Sequence, residues 1–407
     1  MEITLLSNIP HYHYLAQAME KAGWLKRYIT SVAMPEHGGI PAWLPEFWRK
    51  KLEGRRMPGV PISKVSRICA PEAMQRLLPK LGWMSGERAD YLNNHMFDLL
   101  AMRSITSCGF FHFVSSVGLY SARRARALGA TIVCDVRQEH PYFQKRVLQA
   151  EYEKLGLPLT IAGHSFESKV LAEFQIADYF IVPSGYARDT FVAEGYPRER
   201  IFVAPYGVDL RHFHITPKED SRFRVLFAGQ ITIRKGIFDL LEAFGALRIP
   251  GAELLLIGSI DPAIVHLLKP YRHLFRHLPP VPKTELHRYY SNSSVMVLPS
   301  LADAFPLVVA EAMACGLPVI ISENTGTAEA VTDGREGFVV PVHDRATLGE
   351  RIERLYKNPE LRSEMGLRAQ DRARQMTWAA YGARALDAYR TIESRRLERA
   401  AAVSLGC

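Results

Sequence analysis

The sequence predicts an α/β protein made of two doubly wound parallel-sheet domains in tandem. Short apolar runs rich in β-branched and aromatic residues alternate with longer segments of helical periodicity along the chain. This alternation is typical of βα units, whose strands lie parallel in one sheet. The length of 407 residues also exceeds what one hydrophobic core normally organises. Two domains are therefore expected.

The N-terminal half carries the first series of βα units. Its predicted strands are "EITLLS", "FFHFVSS", "ATIVCDV" and "YFIVPS", and helical patterns such as "YLAQAMEKAGWL" and "GYARDTFVAEG" follow them. They predict a first domain over residues 1–203. The stretch "VAPYGVDLRHF" interrupts the pattern with a proline and a glycine, which predicts an interdomain linker over residues 204–213.

A second series of the same kind follows the linker. The segments "FRVLFAG", "AELLLIG", "SVMVLPS" and "LPVIIS" are predicted strands, and "KGIFDLLEAFGAL", "KTELHRYYSNS" and "PLVVAEAMACG" are predicted helices. They predict a second domain over residues 214–375. Residues 376–407 are predicted to form one long, basic, amphipathic helix that packs back on the first domain.

Composition excludes several classes of protein. Hydrophobic content of 48% and charged content of 23% fit a globular chain, and neither a long uncharged apolar run nor a leader-like start is present. We therefore expect a cytoplasmic protein. The net charge of +9 favours an anionic partner, but no nucleic-acid-binding motif accompanies it. Without a D-x-D motif or zinc-like cysteine spacing, neither a metal ion nor a cofactor is expected.

Two carboxylates stand out in the apolar stretch "DAFPLVVAEAMACG". Asp303 follows the predicted strand "SVMVLPS", and Glu311 lies in the helix after it. Ligands of open α/β sheets bind beyond the carboxyl ends of the strands, and a carboxylate accepts hydrogen bonds from sugar hydroxyls. The alternative is that Asp303 caps the helix and Glu311 is solvated.

The stretch "AGQITIRKGI" supplies the opposite charge. A predicted strand runs into a turn at Gly229 and then a helix, with Arg234 and Lys235 beside the helix N-terminus. Basic side chains there, together with the backbone N–H groups and the helix dipole, make an anion site. Phosphate binders and hydroxyl binders in one crevice suit a nucleotide sugar.

With these segments the sequence resembles the retaining glycosyltransferases of the GT-B fold, specifically glycosyltransferase family 4. The resemblance covers nearly the whole chain. It rests on an ordered set of segments: "ADYFIVPS", "VAPYGVDLRHF", "AGQITIRKGI", "VLPSLADAFPLVVAEAMACGLPVI", "GTAEAVTDGREGFVVPVHD" and "TWAAY". It implies two Rossmann-like domains facing a central cleft. The implied reaction transfers a hexosyl group from a nucleotide diphosphate sugar to a hydroxyl of a saccharide, lipid-linked saccharide or other glycan, with no metal ion.

The resemblance also implies roles for single residues. Asp303 would lie against the donor sugar, Glu311 would hold the nucleotide ribose, and Lys235 would stabilise the departing diphosphate. The leaving phosphate itself would take the proton of the acceptor. Further implied donor contacts come from two loops, as main-chain or side-chain groups of Gly229, Gln230, Arg234, Ala304, Phe305, Pro306 and Leu307.

Two positions depart from the family pattern. Gln230 stands where the family carries a basic residue, and Asp303 stands where a glutamate is usual. These departures favour a non-catalytic nucleotide-sugar-binding homologue as an alternative. An epimerase on the same fold is a second alternative. A dinucleotide-dependent oxidoreductase is disfavoured, because the loop after the first strand lacks G-x-G-x-x-G.

The N-terminal domain offers fewer candidates. In "ATIVCDVRQEHP", His140 falls where the family's active-site histidine lies, which implies a contact with the donor sugar near the reacting carbon. The alternative is an ordinary surface or core histidine. Asn8, His11 and His13 follow the first strand and are candidates for acceptor contacts, or else belong to a simple turn.

One segment indicates a membrane surface. Within "PAWLPEFWRKKLEGRR", Leu44, Phe47, Trp48 and Leu52 recur at helical spacing beside five basic residues. Such a basic amphipathic helix over residues 43–56 can lie on an anionic bilayer. The alternative is an insertion that packs its aromatic residues against its own domain.

Overall fold

Two parallel sheets organise the chain. The computed structural model describes residues 1–36, 39, 46–78, 83, 86–159 and 164–405. The first sheet has seven strands in the order β3-β2-β1-β4-β5-β6-β7. They are β1 (Ile3–Leu6), β2 (Leu25–Thr30), β3 (Val65–Arg67), β4 (Phe110–Val114), β5 (Thr131–Asp135), β6 (Tyr179–Val182) and β7 (Ile201–Val203).

The second sheet has six strands in the order β10-β9-β8-β11-β12-β13, and all its pairings are parallel. The strands are β8 (Arg224–Ala228), β9 (Glu253–Ile257), β10 (Phe275–Leu278), β11 (Val295–Leu298), β12 (Val319–Ser322) and β13 (Gly337–Val340). The predicted α/β class with two parallel sheets is confirmed.

Each sheet has one point where the strand order reverses. In the first sheet it lies between β1 and β4, and in the second it lies between β8 and β11. Helices leave these neighbouring strands in opposite directions, so the loops at their carboxyl ends diverge and open a crevice. The loops after β8 and β11 are the two that carry the predicted phosphate-binding and hydroxyl-binding residues.

Helices cover both sheets. Those of the N-terminal half are α1 (His13–Lys21), α2 (Glu46–Glu53), α3 (Ala70–Leu77), α4 (Gly86–Ala101), α5 (Leu119–Ala127), α6 (Pro141–Lys154), α7 (His164–Ile176) and α8 (Gly185–Ala193). The remainder are α9 (Ile237–Leu247), α10 (Lys283–Ser291), α11 (Leu307–Ala314), α12 (Arg345–Lys357), α13 (Pro359–Ala373) and α14 (Trp378–Leu405). The central strands β1, β4, β8 and β11 are buried along their whole length, as strands covered on both faces must be.

The terminal helix α14 returns to the N-terminal half, where it packs along α1. A buried polar network fixes it there. Asp135, at the end of β5, accepts hydrogen bonds from the hydroxyls of Tyr12 (2.7 Å) and Tyr381 (2.9 Å). The imidazole of His112 lies 3.5 Å from the same carboxylate, and its other nitrogen is 2.7 Å from the hydroxyl of Tyr389. A buried carboxylate needs such partners.

The proposed membrane segment is described only in part. Residues 40–45, which include Leu44, lie outside the described residues, whereas residues 46–53 form the helix α2. Among the residues that the structure describes, no helix is both long enough and apolar enough to cross a bilayer.

Candidate active site

The turn after β8 and the loop after β11 meet at the point where the order of the second sheet reverses. The ammonium group of Lys235 forms an ion pair with the carboxylate of Asp303. Arg234 donates to the carbonyl of Ala302 at 2.8 Å, and its guanidinium lies 3.9 Å from the same carboxylate. The structure therefore brings the two predicted groups of opposite charge into one cluster.

Lys235 is held in a low-dielectric site. Its side chain is only 12% exposed, whereas that of Arg234 is 26% exposed. Burial lowers the pKa of Lys235, and the charge of Asp303 opposes this shift. The ion pair thus offsets part of the cost of burying the ammonium group.

A glycine allows this arrangement. Gly236 has a φ of 68° between Lys235 and the first residue of α9, and a Cβ at this position would lie 1.8 Å from the carbonyl oxygen of Pro299. The backbone of the turn after β8 can therefore rest directly on the end of β11, which positions Lys235 against Asp303. Any side chain at residue 236 would force the two loops apart.

Glu311 lies one helix further on. It is buried in α11, where its carboxylate accepts a hydrogen bond from the hydroxyl of Tyr290 (3.1 Å) and lies 3.6 Å from the ammonium of Lys283. Burial raises the pKa of Glu311, while the charge of Lys283 opposes that shift. The side chain of Lys283 is 71% exposed, so it can move aside when a ligand approaches. Glu311 is not the solvated residue of the alternative interpretation.

The loop between the two acids also contacts the N-terminal half. The carbonyl oxygen of Ala304 accepts a hydrogen bond from the hydroxyl of Ser184 at 2.7 Å, and Phe305 packs edge-on against Tyr206 of the linker. Pro306 precedes α11, which begins at Leu307. The first N–H groups of a helix have no partner within it, so the start of α11 can donate to an anionic or hydroxyl ligand.

Gln230 and Gly229 occupy the other edge of the crevice. Gly229 has a φ of 132° immediately after β8. The side chain of Gln230 is exposed and lines a cavity of about 350 Å³ together with Thr232 and Arg234. Arg234 therefore faces the crevice, so a positive charge lies close to the neutral Gln230.

His140 is not brought to this cluster. It is 1% exposed and caps α6, where its Nδ1 accepts from the backbone N–H of Tyr142 at 3.3 Å. Its ring packs among the aromatic rings of Phe174, Phe191 and Tyr196. Burial lowers the pKa of His140 to about 4. This geometry corresponds to the alternative of a core histidine, although the Nε2 of His140 has no hydrogen-bond partner among the described residues. The contact with the donor sugar stays a prediction.

The preceding residues of the same loop face the crevice instead. Arg137 and Glu139 line the 350 Å³ cavity, and the sequence analysis named neither of them. Glu139 is 2% exposed, and burial raises its pKa. The proline after His140 was a sequence signal that His140 caps a helix. Proline is favoured at the first helical position, so the residue before it is the expected cap.

The three candidates after β1 lie in different surroundings. Asn8 donates to the side-chain oxygen of Asn94 at 3.0 Å. His11 stacks on Trp378, and burial lowers its pKa to about 3. His13 lines the larger cleft of about 2250 Å³. The structure does not gather these three side chains at one point.

That larger cleft separates the two halves of the chain. Helix α1 and the start of α14 form one wall, and the segment Pro280–Glu285 with Lys283 forms the other. Because Lys283 contacts Glu311, the cleft leads to the buried acid. Across the domain interface, the carboxylate of Glu329 accepts hydrogen bonds from the backbone N–H groups of Gly185 (3.0 Å) and Tyr186 (2.6 Å).

Comparisons with known proteins agree with this geometry. The family model described as "Glycosyl transferases group 1" matches residues 210–372, which span the cluster of Lys235, Asp303 and Glu311. Residues 210–372 are therefore similar to the glycosyl transferases group 1 family. A curated D-inositol 3-phosphate glycosyltransferase of Paenarthrobacter aurescens is 33% identical over 211 residues, which cover 47% of this chain and 52% of the relative. One of Saccharomonospora viridis is 27% identical over 302 residues, covering 63% and 70%.

The chain spans about half the length of the first of these curated relatives. Solved structures match over the whole fold. Sucrose-phosphate synthase of Thermosynechococcus elongatus has a TM-score of 0.61 at 21% identity, covering 97% of this chain and 100% of that chain. HepE of Anabaena, in complex with UDP-glucose, has a TM-score of 0.65 at 14% identity, with coverages of 97% and 100%. The predicted GT-B fold is confirmed.

Proposed function

We propose that the chain is a retaining glycosyltransferase. It moves a hexosyl group from a nucleotide diphosphate sugar to a hydroxyl of a saccharide, a lipid-linked saccharide or another glycan. The observation that carries this proposal is the cluster of Lys235, Arg234 and Asp303 at the reversal point of the second sheet. Glu311 lies buried at the adjacent helix. A basic pair and two acids in one crevice match the opposite chemical needs of a diphosphate and of sugar and ribose hydroxyls.

The barrier to glycosyl transfer lies in the charge that develops on the leaving diphosphate and on the sugar ring. In the proposal Lys235 and Arg234 stabilise the diphosphate as it departs, because preorganised cations act strongly in a water-poor site. Asp303, released from Lys235, accepts a hydrogen bond from a hydroxyl of the donor sugar. Glu311 accepts hydrogen bonds from the ribose hydroxyls. The N–H groups at the start of α11 add donors for the sugar or phosphate.

The N-terminal half supplies the acceptor side in this proposal. His13 and the loop after β1 line the approach to the cleft. The contact of His140 with the donor sugar is kept as a prediction, although its ring is packed in the core. A metal ion is not part of the scheme, so activity is expected to survive EDTA. We also propose that residues 43–56 contact an anionic membrane surface. Co-sedimentation with phosphatidylglycerol vesicles, compared with phosphatidylcholine vesicles, tests that contact.

Thermal melting with nucleotides tests the donor site first. UDP, GDP and ADP are added separately to the wild type and to Glu311→Ala. A ligand at 100 times its Kd stabilises the folded state by about 2.7 kcal/mol, which is visible as a melting shift. We expect one nucleotide to shift the wild type and to lose most of that effect in Glu311→Ala. The exposed Glu350→Ala is the matched control and should keep the shift.

Two outcomes would contradict the proposal. If no nucleotide shifts the wild type, the donor-site assignment fails. If the shift survives in Glu311→Ala unchanged, the ribose role of Glu311 fails. A subsequent screen uses the glucose conjugate of the selected nucleotide as donor and tests D-inositol 3-phosphate and other polyols as acceptors. D-inositol 3-phosphate is included because the curated relatives are named D-inositol 3-phosphate glycosyltransferases.

A binding homologue stays an alternative because Gln230 is neutral and Asp303 is shorter than the usual glutamate, and an epimerase on the same fold is a second alternative. A binding homologue would show the melting shift without consuming any donor. An epimerase would change the donor sugar in the absence of an acceptor. Mass spectrometry and sugar analysis of the donor, with and without acceptor, separate both from the transferase.

A further inference from the structure

The loop that carries Asp303 is held by hydrogen bonds from both halves of the chain. Within the C-terminal half, the backbone N–H of Asp303 donates to the carbonyl of Asn324 at 3.0 Å, and the N–H of Gly326 donates to the carbonyl of Asp303 at 2.8 Å. From the N-terminal half, the hydroxyl of Ser184 donates to the carbonyl of Ala304 at 2.7 Å. Ser184 and Ala304 are both buried, so water competes little for this bond. The carbonyl of Ala304 is therefore oriented by a residue outside its own domain.

Ser184 is fixed in turn by the helix that it begins. It is the N-cap of α8, and its hydroxyl oxygen accepts a hydrogen bond from the backbone N–H of Ala187 at 3.0 Å. A serine hydroxyl has one proton to donate, and here Ala304 receives it. One side chain thus joins the start of α8 to the Ala304 carbonyl. A movement of α8 either carries the loop with it or breaks the bond.

Glu329 ties the same end of α8 to the C-terminal half. It lies in the 3₁₀ turn Gly326–Ala330, and its carboxylate accepts hydrogen bonds from the backbone N–H groups of Gly185 (3.0 Å) and Tyr186 (2.6 Å). These N–H groups belong to the first turn of α8, where they have no partner within the helix. A carboxylate is favourable there, because the N-terminus of a helix carries a partial positive charge. Helix α8 is therefore held to the C-terminal half at two points.

Two glycines, one from each half, allow this close approach. A Cβ at Gly326 would lie 1.8 Å from the carbonyl oxygen of Ala304 and 2.4 Å from the hydroxyl oxygen of Ser184. A Cβ at Gly185 would lie 2.9 Å from the carboxylate of Glu329. The loop after β11, the start of α8 and the 3₁₀ turn therefore touch without a side chain from either glycine between them. Because packed interiors transmit displacements, a shift of one half is felt directly by the loop.

We propose that Ser184 and Glu329 are positioning residues that set the loop Ala304–Leu307 in the geometry that the donor sugar requires. The inference rests on the proposed transferase function, which assigns this loop to the sugar and phosphate. The groups assigned to the diphosphate and the ribose, Lys235 and Glu311, are anchored within the C-terminal half. Docking of α8 should therefore matter for the sugar and for the reaction, and not for the bare nucleotide.

Thermal melting and steady-state kinetics of Glu329→Gln and Ser184→Ala in the full chain test the proposal. The probes are UDP, GDP and ADP, their glucose conjugates as donors, and D-inositol 3-phosphate as acceptor. In Glu329→Gln an NH₂ group replaces one carboxylate oxygen and cannot accept from the helix. A misplacement of about 1 Å can cost about 100-fold in rate, so we expect kcat to fall by about 10–100-fold. The melting shift with bare nucleotide should stay as in the wild type, whereas the additional shift from the glucose moiety should shrink.

Two control variants separate the docking of α8 from a general loss of stability. Asp344 caps α12 as Ser184 caps α8, since its carboxylate accepts from the backbone N–H of Thr347 at 2.9 Å. Asp344→Ala should therefore lose a comparable helix cap and keep the wild-type kcat. Glu350→Gln alters an exposed glutamate and should behave as the wild type. Glu329 is itself exposed, so Glu329→Gln should fold even where Ser184→Ala is destabilised.

The double variant Ser184→Ala with Glu329→Gln supplies a readout that two independent structural roles would not produce. If both residues act by docking α8, either substitution alone already releases the start of the helix. The double variant should then lose little more kcat than the more impaired single variant. Independent effects would multiply instead.

Three results would overturn the inference. The first is an unchanged kcat in either single variant. The second is a loss of the bare-nucleotide shift as large as the loss of the shift with the glucose conjugate, which would mean that the two residues support the whole domain. The third is a multiplicative loss in the double variant. If the wild type binds nucleotide but turns over none of the probes, the two melting shifts still decide the inference. If it binds no nucleotide, the proposed function itself fails.

Discussion

Replacing Lys235 with alanine is the strongest test of how the leaving group is stabilised. Removing one preorganised group that meets developing charge typically costs 10² to 10³ in kcat, about 2.7–4 kcal/mol. Lys235 is 12% exposed and Arg234 is 26% exposed, so solvent screens the arginine more strongly. We therefore expect Lys235→Ala to lower kcat by about 100–1000-fold, and Arg234→Ala to lower it by about tenfold, or about 1.4 kcal/mol.

The assay is single-turnover consumption of the nucleotide sugar that binds in the melting screen, with the exposed Lys357→Ala as a charge-matched control. In Lys235→Ala the Asp303 carboxylate keeps Arg234, 3.9 Å away, as its cationic partner among the described residues. Losing the ion pair with Lys235 should lower the free energy of unfolding by about 1–3 kcal/mol. The variants are therefore compared at a temperature where all remain folded. A Lys235→Ala rate within threefold of wild type, or a larger loss in Arg234→Ala, would refute the reasoning.

Two further predictions concern stability. Tyr381→Phe should cost about 1.5–3 kcal/mol, because it removes a hydrogen bond to the buried carboxylate of Asp135. Tyr389→Phe removes a hydrogen bond to the imidazole of His112 instead and should cost about 1 kcal/mol. Urea unfolding of the two variants measures the difference, and an equal or reversed order would contradict it. His140 has a pKa of about 4 in the folded chain, so the unfolded chain binds its proton more tightly and the wild type should lose stability as the pH falls from 6.5 to 4. His140→Phe should lose less over that range, although His11 keeps part of the effect, and an unchanged slope in pH-dependent melting would count against it.

The sequence pattern identified the strands that are apolar on both faces. It did not single out β2, whose Lys26 and Arg27 interrupt the apolar run. In the structure the ammonium of Lys26 reaches past the sheet end to Glu2 and to the carbonyl of Ser107, both at 2.7 Å. Long basic side chains can leave a sheet in this way, so a charged residue does not by itself exclude a strand.

The candidate site was predicted best where single loops carry the chemistry. Lys235 and Asp303 were each placed at the carboxyl end of a strand, but their contact depends on β8 and β11 being neighbours, which the sequence order does not reveal. His140 and Glu139 differ by one position in a turn, and only the geometry of the helix start decides which faces the cleft. Asp135 was missed because its partners, Tyr12 and Tyr381, are distant in the chain.

The packing of α14 on α1 has a consequence for synthesis on the ribosome. Asp135 lacks its bond from Tyr381, and α1 lacks its contacts with α14, until α14 has left the exit tunnel. Domains usually fold one after another during synthesis, beginning with the N-terminal one. Here the first domain cannot reach its final packing while the second is still being translated. Until then its apolar α14-binding face is exposed to chaperones, and a stalled or truncated chain should present that face as its first point of aggregation.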